Sequence, residues 1–162
     1  MTKNCSITQD VKNKHSLCNN ACLVKGIRIL VVDDNKFSLD LLARLLNSMG
    51  FRLVSKVESV KEALKLLSVI DFDLIISDIE MDAINGLSFL KMLRKGPPDS
   101  ATDAERLRRY MNVPFIMVTG HSTVDYIESA RNAGVSAYIT KPISPTVIFE
   151  RITQVLKRPC GI

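Results

Sequence analysis

The sequence predicts an α/β fold, a five-stranded parallel sheet flanked by five helices in a doubly wound (βα)5 arrangement, and three observations carry that reading. Runs such as Ile29-Leu30-Val31-Val32, Leu74-Ile75-Ile76 and Phe115-Ile116-Met117-Val118 do not alternate with polar residues, so they read as strands buried on both faces. Segments with apolar residues at helical spacing separate them, which demands parallel strands with helices on both faces. The runs end abruptly at acidic, hydroxyl or basic residues, on the sheet edge where open α/β folds gather their chemistry.

Residues 1–25 show no helical or strand period and are rich in Asn, Lys and Ser; they read as a mobile extension ahead of a folded region at 26–158 and a short tail at 159–162. The first strand, Ile27 to Val32, stops at Asp33-Asp34-Asn35, and a helix follows with Phe37, Leu41, Leu42, Leu45, Leu46 and Met49 at helical spacing and Gly50 as a left-handed stop. Phe51 to Val57 is the second strand. Ser59-Val60-Lys61-Glu62 is a capping box that starts a helix burying Val60, Ala63, Leu64 and Leu67. The third strand ends at Asp78; Asn85-Gly86 then leads into a helix through Leu87, Leu90 and Leu93, ended by Gly96-Pro97-Pro98. Residues 97–112 form an inserted segment, long for a connection, in which Ala104, Leu107 and Met111 have the spacing of a short helix. Val113 to Thr119 is the fourth strand, with proline confined to its entrance, and its helix starts at Ser122 or Thr123 and closes at Gly134. The fifth strand, Val135 to Thr140, ends at Lys141-Pro142. Ser144-Pro145 then opens a last helix whose buried stripe is Ile148, Ile152 and Val155.

Composition narrows the function classes. The chain is 46% hydrophobic and 24% charged, a globular balance with enough apolar material for a core. No apolar run approaches the ~18 residues of a membrane span, and Met1 to Lys14 lacks the apolar segment of a signal peptide, so a cytoplasmic protein without membrane contact is expected. There Cys5, Cys18, Cys22 and Cys160 stay reduced. His15, Cys18 and Cys22 lack both the paired spacing of a zinc motif and a fourth ligand. The net charge of +5 comes without a long basic run or interleaved aromatics, and gives nucleic-acid binding little support.

In a parallel sheet the residues that end the strands become neighbours: Asp33 and Asp34, Asp78, Thr119 and Lys141. Like charges this close raise one another's pKa unless a cation compensates. Lys141 offsets one carboxylate, and Mg²⁺, which suits one or two carboxylates with waters and a phosphate oxygen, would offset more. A lone strand-ending Asp would be unremarkable; the group is not.

Four motifs in order, Val31-Val32-Asp33-Asp34, Ile76-Ser77-Asp78-Ile79-Glu80-Met81 with Gly86 beyond, Val118-Thr119-Gly120, and Ala137-Tyr138-Ile139-Thr140-Lys141-Pro142, resemble the receiver domain of bacterial response regulators over residues 27–157. The resemblance implies a flavodoxin-like fold and a stand-alone, chemotaxis-type or phosphorelay receiver without a DNA-binding output. Asp78 would accept a phosphoryl group from a histidine kinase, a histidine phosphotransfer protein or a small acyl phosphate. Asp34, Asp78 and the Glu80 carbonyl would hold Mg²⁺, Asp33 acting through water; Lys141 and Thr119 would contact the phosphoryl group. Thr119 and Tyr138 would form the switch that remodels the surface made by the helix after the fourth strand, the last strand and the last helix, for a downstream protein or a homodimer. A cis Lys141-Pro142 bond is implied too.

Departures from the family pattern are local. Asp82 stands where proline is usual, implying a looser, more acidic loop. Glu80 and His121 occupy positions where relatives tune hydrolytic water, here pairing with each other, placing a water, or standing as solvated rim residues. The insert is either a docking element or a longer surface turn. An alternative reading, a Mg²⁺-dependent phosphatase of the haloacid dehalogenase type, expects a second Asp where Glu80 stands; a flavin-binding reading expects a hydroxyl-rich loop where Asp33-Asp34 stands.

Overall fold

The computed structural model describes residue 24 and residues 26–98, 103–120 and 124–156. Outside them lie the rest of the N-terminal extension with Cys5, His15, Cys18 and Cys22, part of the insert, His121 with Ser122 and Thr123, and the tail with Cys160. The five expected strands are β1 (Arg28–Val32), β2 (Leu53–Val57), β3 (Leu74–Asp78), β4 (Phe115–Thr119) and β5 (Ala137–Thr140). They form one parallel sheet in the order β2-β1-β3-β4-β5, with Val32 registered on Ser77, Asp78 on Val118 and Thr119 on Thr140. Strands two, four and five begin two residues later than the apolar patterns at Phe51, Val113 and Val135 predict. Phe51 is fully buried, but as the residue that turns the chain out of the preceding helix, its amide bonded to the Leu46 carbonyl.

The helices are α1 (Lys36–Ser48), α2 (Val60–Leu67), α3 (Gly86–Lys95), α4 (Ala104–Arg108, continued by a 3₁₀ turn over Arg109–Asn112), α5 (Val124–Asn132) and α6 (Pro145–Leu156). The helix beyond the five expected is α4, inside the insert. Two apolar layers cover the sheet. Leu39, Leu42 and Leu46 of α1 pack with Ile148, Ile152 and Val155 of α6 beneath one face. On the other face Val60 and Leu67 of α2, Phe89 and Leu93 of α3, Tyr110 of the insert and Ala130 of α5 pack together. Phe89 meets Phe115 of β4 edge-on at 5.7 Å, an aromatic geometry worth about 1 kcal/mol beyond its area.

Local signals explain the helix ends. Asn35, Ser59 and Asn85 each cap a helix through a side-chain oxygen, on the amides of Ser38, Glu62 and Ser88. In the capping box Glu62 reaches back one residue further than expected, to the Glu58 amide at 3.1 Å. The buried stripe of α1 differs from the spacing that named it: Leu39, Leu42, Ala43 and Leu46 face the core, whereas Phe37 is 77% exposed and Leu41 59%. A helix can carry apolar residues over more than the arc its sheet covers, and only packing decides which of them are inside.

The described end of the insert, residues 103–112, is tied to the rest of the fold. The Arg94 guanidinium donates to the carbonyls of Tyr110 (3.2 Å), Val113 (2.9 Å) and Gly134 (3.1 Å). Tyr110 donates its hydroxyl to the Ile70 carbonyl at 2.7 Å, and Arg106 pairs with Asp71 at 3.0 Å. These contacts lie at the amino end of the sheet, opposite the strand-ending residues. No helix among the described residues is long and apolar enough to cross a membrane.

Candidate functional site

The carboxyl edge of the sheet gathers Asp33 and Asp34 after β1, Asp78 at the end of β3, Thr119 at the end of β4 and Lys141 after β5. Asp33, Asp78 and Thr119 are buried at 6%, 5% and 1% exposure, a density of polar side chains that folding does not favour without a use for them. The Lys141 Nζ lies 2.7 Å from Asp78 Oδ1 and 3.4 Å from Asp33 Oδ2. The ammonium thus bridges the two carboxylates and lies closer to Asp78. The Lys141 amide donates to the Thr119 carbonyl at 2.7 Å, which holds the lysine beside the end of β4. The Lys141–Pro142 bond is cis.

Burial pushes the Asp78 carboxyl above the usual carboxylate range; Lys141 pulls it down, Asp33 pushes it further up, and the Glu80 amide pulls it down. Burial alone would lower the Lys141 ammonium, but its pairing with Asp78 and Asp33 wins and its pKa is raised. The two directions are compatible. Asp78 is the more enclosed partner, so desolvation rules there, while the lysine, one-third exposed, keeps part of its hydration and feels chiefly two carboxylates.

Each side chain is aimed by local structure. Asp33 Oδ1 accepts from the Asn35 amide at 2.9 Å, turning the chain from β1 into α1. Asp34 is exposed, and its Oδ2 accepts from the Asp82 amide at 2.8 Å across the site. The loop after Asp78 is thus tied at several points instead of being loose. The Ile79 amide bonds to the Val118 carbonyl (2.9 Å), Ile84 to Asp82 (2.7 Å) and Gly86 to Ile79 (3.0 Å). Gly86 touches the site from behind: a Cβ there would stand 2.1 Å from the Asp78 carbonyl oxygen, so only glycine allows α3 to begin there.

Glu80 is exposed, with a carboxylate oxygen 4.0 Å from where a Cβ on Gly120 would lie; its proposed companion His121 is outside the described residues. Tyr138 is half-buried and packs on the same core layer as Met117, its register partner. Thr119 is two residues further along that face, so the expected switch pair are diagonal neighbours.

Among the described residues no three carboxylate, imidazole or thiolate groups form a ready-made metal cage. The donor set nonetheless fits Mg²⁺, which keeps most of its waters and needs only one or two carboxylates: a buried Asp78 carboxylate with Asp33 and Asp34 nearby and a single ammonium among them.

Two features were not visible in the sequence. The Asp34–Asp82 contact is made by a backbone amide, whose only trace is a residue other than proline at 82. A cavity of about 390 Å³ also runs from Asp78 and Lys141 to Leu41, Leu42 and Leu45 of α1 and to Ile143 and Pro145. Helical spacing displayed those leucines but not the gap beneath them.

A family model described as response regulator receiver domain matches residues 29–153. The chain is 30% identical to the chemotaxis protein CheY of Pseudomonas aeruginosa over 83% of this chain and all of that protein. It is 29% identical to the chemotaxis protein CheY-3 of Vibrio cholerae, over 85% of this chain and 98% of the relative. Among solved structures, a CheY-like response regulator receiver domain protein of Methanospirillum hungatei matches with a TM-score of 0.65 and 30% identity, covering 80% of this chain and 93% of that one.

Proposed function

This chain belongs to the response regulator receiver domain family of two-component signalling, and from that premise we propose that it takes a phosphoryl group onto Asp78 and signals through protein contacts. The observation that carries the proposal is the buried Asp78 with Lys141 at 2.7 Å and Asp33 opposite. In the transfer the Asp78 carboxylate attacks phosphorus, the bond to the donor's imidazole nitrogen or acyl oxygen breaks, and the electron pair leaves with the donor. Asp33, Asp34, Asp78 and the Glu80 carbonyl are the groups that would hold Mg²⁺, which supplies positive charge to the phosphoryl oxygens. Lys141, held by two carboxylates, keeps its proton and pairs with the incoming anion. The Thr119 hydroxyl donates to a phosphoryl oxygen, and its inward movement frees space for the Tyr138 ring, altering the surface of α5, β5 and α6. Glu80 stands at the rim, placed to influence water. A histidine kinase or phosphotransfer protein is the donor, and Leu41, exposed at the cavity, with Phe37, exposed one turn earlier on α1, supply apolar area for docking it. Nothing observed favours the phosphatase alternative.

Labelling with acetyl phosphate and Mg²⁺ tests the assignment: the intact chain gains one phosphoryl mass, and Asp78→Asn gains none. Equal labelling of both would sink it.

A further inference from the structure

The Asp34 carboxylate is held from across the site by the backbone of the loop that follows Asp78. Its Oδ2 accepts the Asp82 amide at 2.8 Å, a contact between residues 48 positions apart. The loop adopts an unusual shape at this point. The Ile84 amide returns to the Asp82 carbonyl at 2.7 Å around Ala83, whose φ is +64°, which makes a γ-turn in a conformation that residues with a Cβ adopt at a cost. Four residues after Asp82, Gly86 is fixed against the Asp78 carbonyl with no room for a Cβ. The strained turn is therefore anchored at both ends, with the Asp82 amide facing the end of β1.

We propose that the Asp82 backbone amide is a positioning group, a clasp that holds Asp34 in the orientation in which it meets a divalent cation. This rests on the reading of the acidic pocket as a Mg²⁺ site. Asp34 is exposed, and an unrestrained carboxylate there would spend rotamer freedom on each binding event. One amide occupies one lone pair of Oδ2 and leaves Oδ1 open, so the clasp orients the ligand without consuming it. It also joins the two halves of the site, the turn after β1 and the loop after β3. The chemistry needs a residue with an N–H at 82; the side chain there is exposed and has no part in it. Proline, having no N–H, could not make the contact.

The chain has no tryptophan to report binding, so the test is a Mg²⁺ titration followed by amide NMR shifts on the full chain, in wild type, Asp82→Pro and Asp82→Ala. Removing an outer partner of a metal ligand typically weakens binding 10- to 100-fold; Asp82→Pro should therefore raise the Mg²⁺ Kd about tenfold, while Asp82→Ala, which keeps the amide, stays within about threefold of wild type. Equal weakening in both variants would assign the effect to the side-chain charge and overturn the clasp. Unchanged or tighter binding in Asp82→Pro would overturn it too, tighter binding showing that the amide competes with the cation. Absence of saturation in the wild type would instead overturn the Mg²⁺ reading and the clasp with it. A measurement independent of whether Asp82→Pro folds is hydrogen exchange of the Asp82 amide in metal-free protein. It should quicken at least tenfold in Asp34→Ala, and an unchanged rate would refute the contact.

Discussion

Replacing Gly86 by alanine tests how tightly the reactive end of β3 is built. The added Cβ would stand 2.1 Å from the Asp78 carbonyl oxygen and 3.1 Å from both the Asp78 carbonyl carbon and the Ser77 Oγ. Both neighbours are immobile: Ser77 Oγ is bonded to that same carbonyl at 2.9 Å, and Asp78 lies in the sheet between β1 and β4. Relief requires α3 and the end of β3 to separate by about 1 Å, which stretches the Gly86–Ile79 hydrogen bond of 3.0 Å. Overpacking of this kind costs roughly 1–3 kcal/mol, and here the atom struck is backbone, which favours the upper end. Alanine's better helix propensity returns at most about 1 kcal/mol. The net loss of about 2 kcal/mol should lower Tm by roughly 6–10 °C. A displacement of ~1 Å at the acceptor should also slow labelling by acetyl phosphate about 100-fold. Urea unfolding, thermal melts and labelling kinetics on Gly86→Ala measure all three. A variant as stable as wild type that labels at the wild-type rate would refute the packing argument.

Two further predictions concern the amino end of the sheet. Arg94→Lys replaces a planar fork bonded to three carbonyls by a point donor that cannot reach them all; it should cost about 2–3 kcal/mol in urea unfolding and expose the insert to trypsin, while acetyl phosphate labelling stays near wild type. Burial raises the Tyr110 pKa above its ordinary value, aided by Asp71 and opposed by the Phe72 hydrogen bond and nearby arginines, so its contribution to stability is complete below about pH 10 and lost as pH climbs through the folded-state value. Tyr110→Phe should lose roughly 1–2 kcal/mol at neutral pH, leaving the Ile70 carbonyl unpaired, yet fall less steeply than wild type in alkaline melts; parallel alkaline limbs would contradict this.

The sequence by itself determined the strands, because runs such as Leu74-Ile75-Ile76 can satisfy their burial only inside a two-faced sheet, and it determined the edge residues, because parallel topology brings every strand end to one side. Asp33, Asp78, Thr119 and Lys141 are legible on those grounds alone. The tertiary structure decided which face of α1 is inside: Phe37 and Leu41 obey the same period as their buried neighbours and differ only in what the sheet covers. It decided that the described end of the insert is clamped to its surroundings, since Arg94 joins the carbonyl of Tyr110 there to those of Val113 and Gly134, residues 16, 19 and 40 positions away, through groups that every residue carries and no motif marks. It also decided the fate of the loop after Asp78. Loss of proline at 82 suggested slack, but the amide gained there reaches Asp34, because hydrogen bonds made by the backbone depend on where the chain passes and leave little signature in side-chain identity.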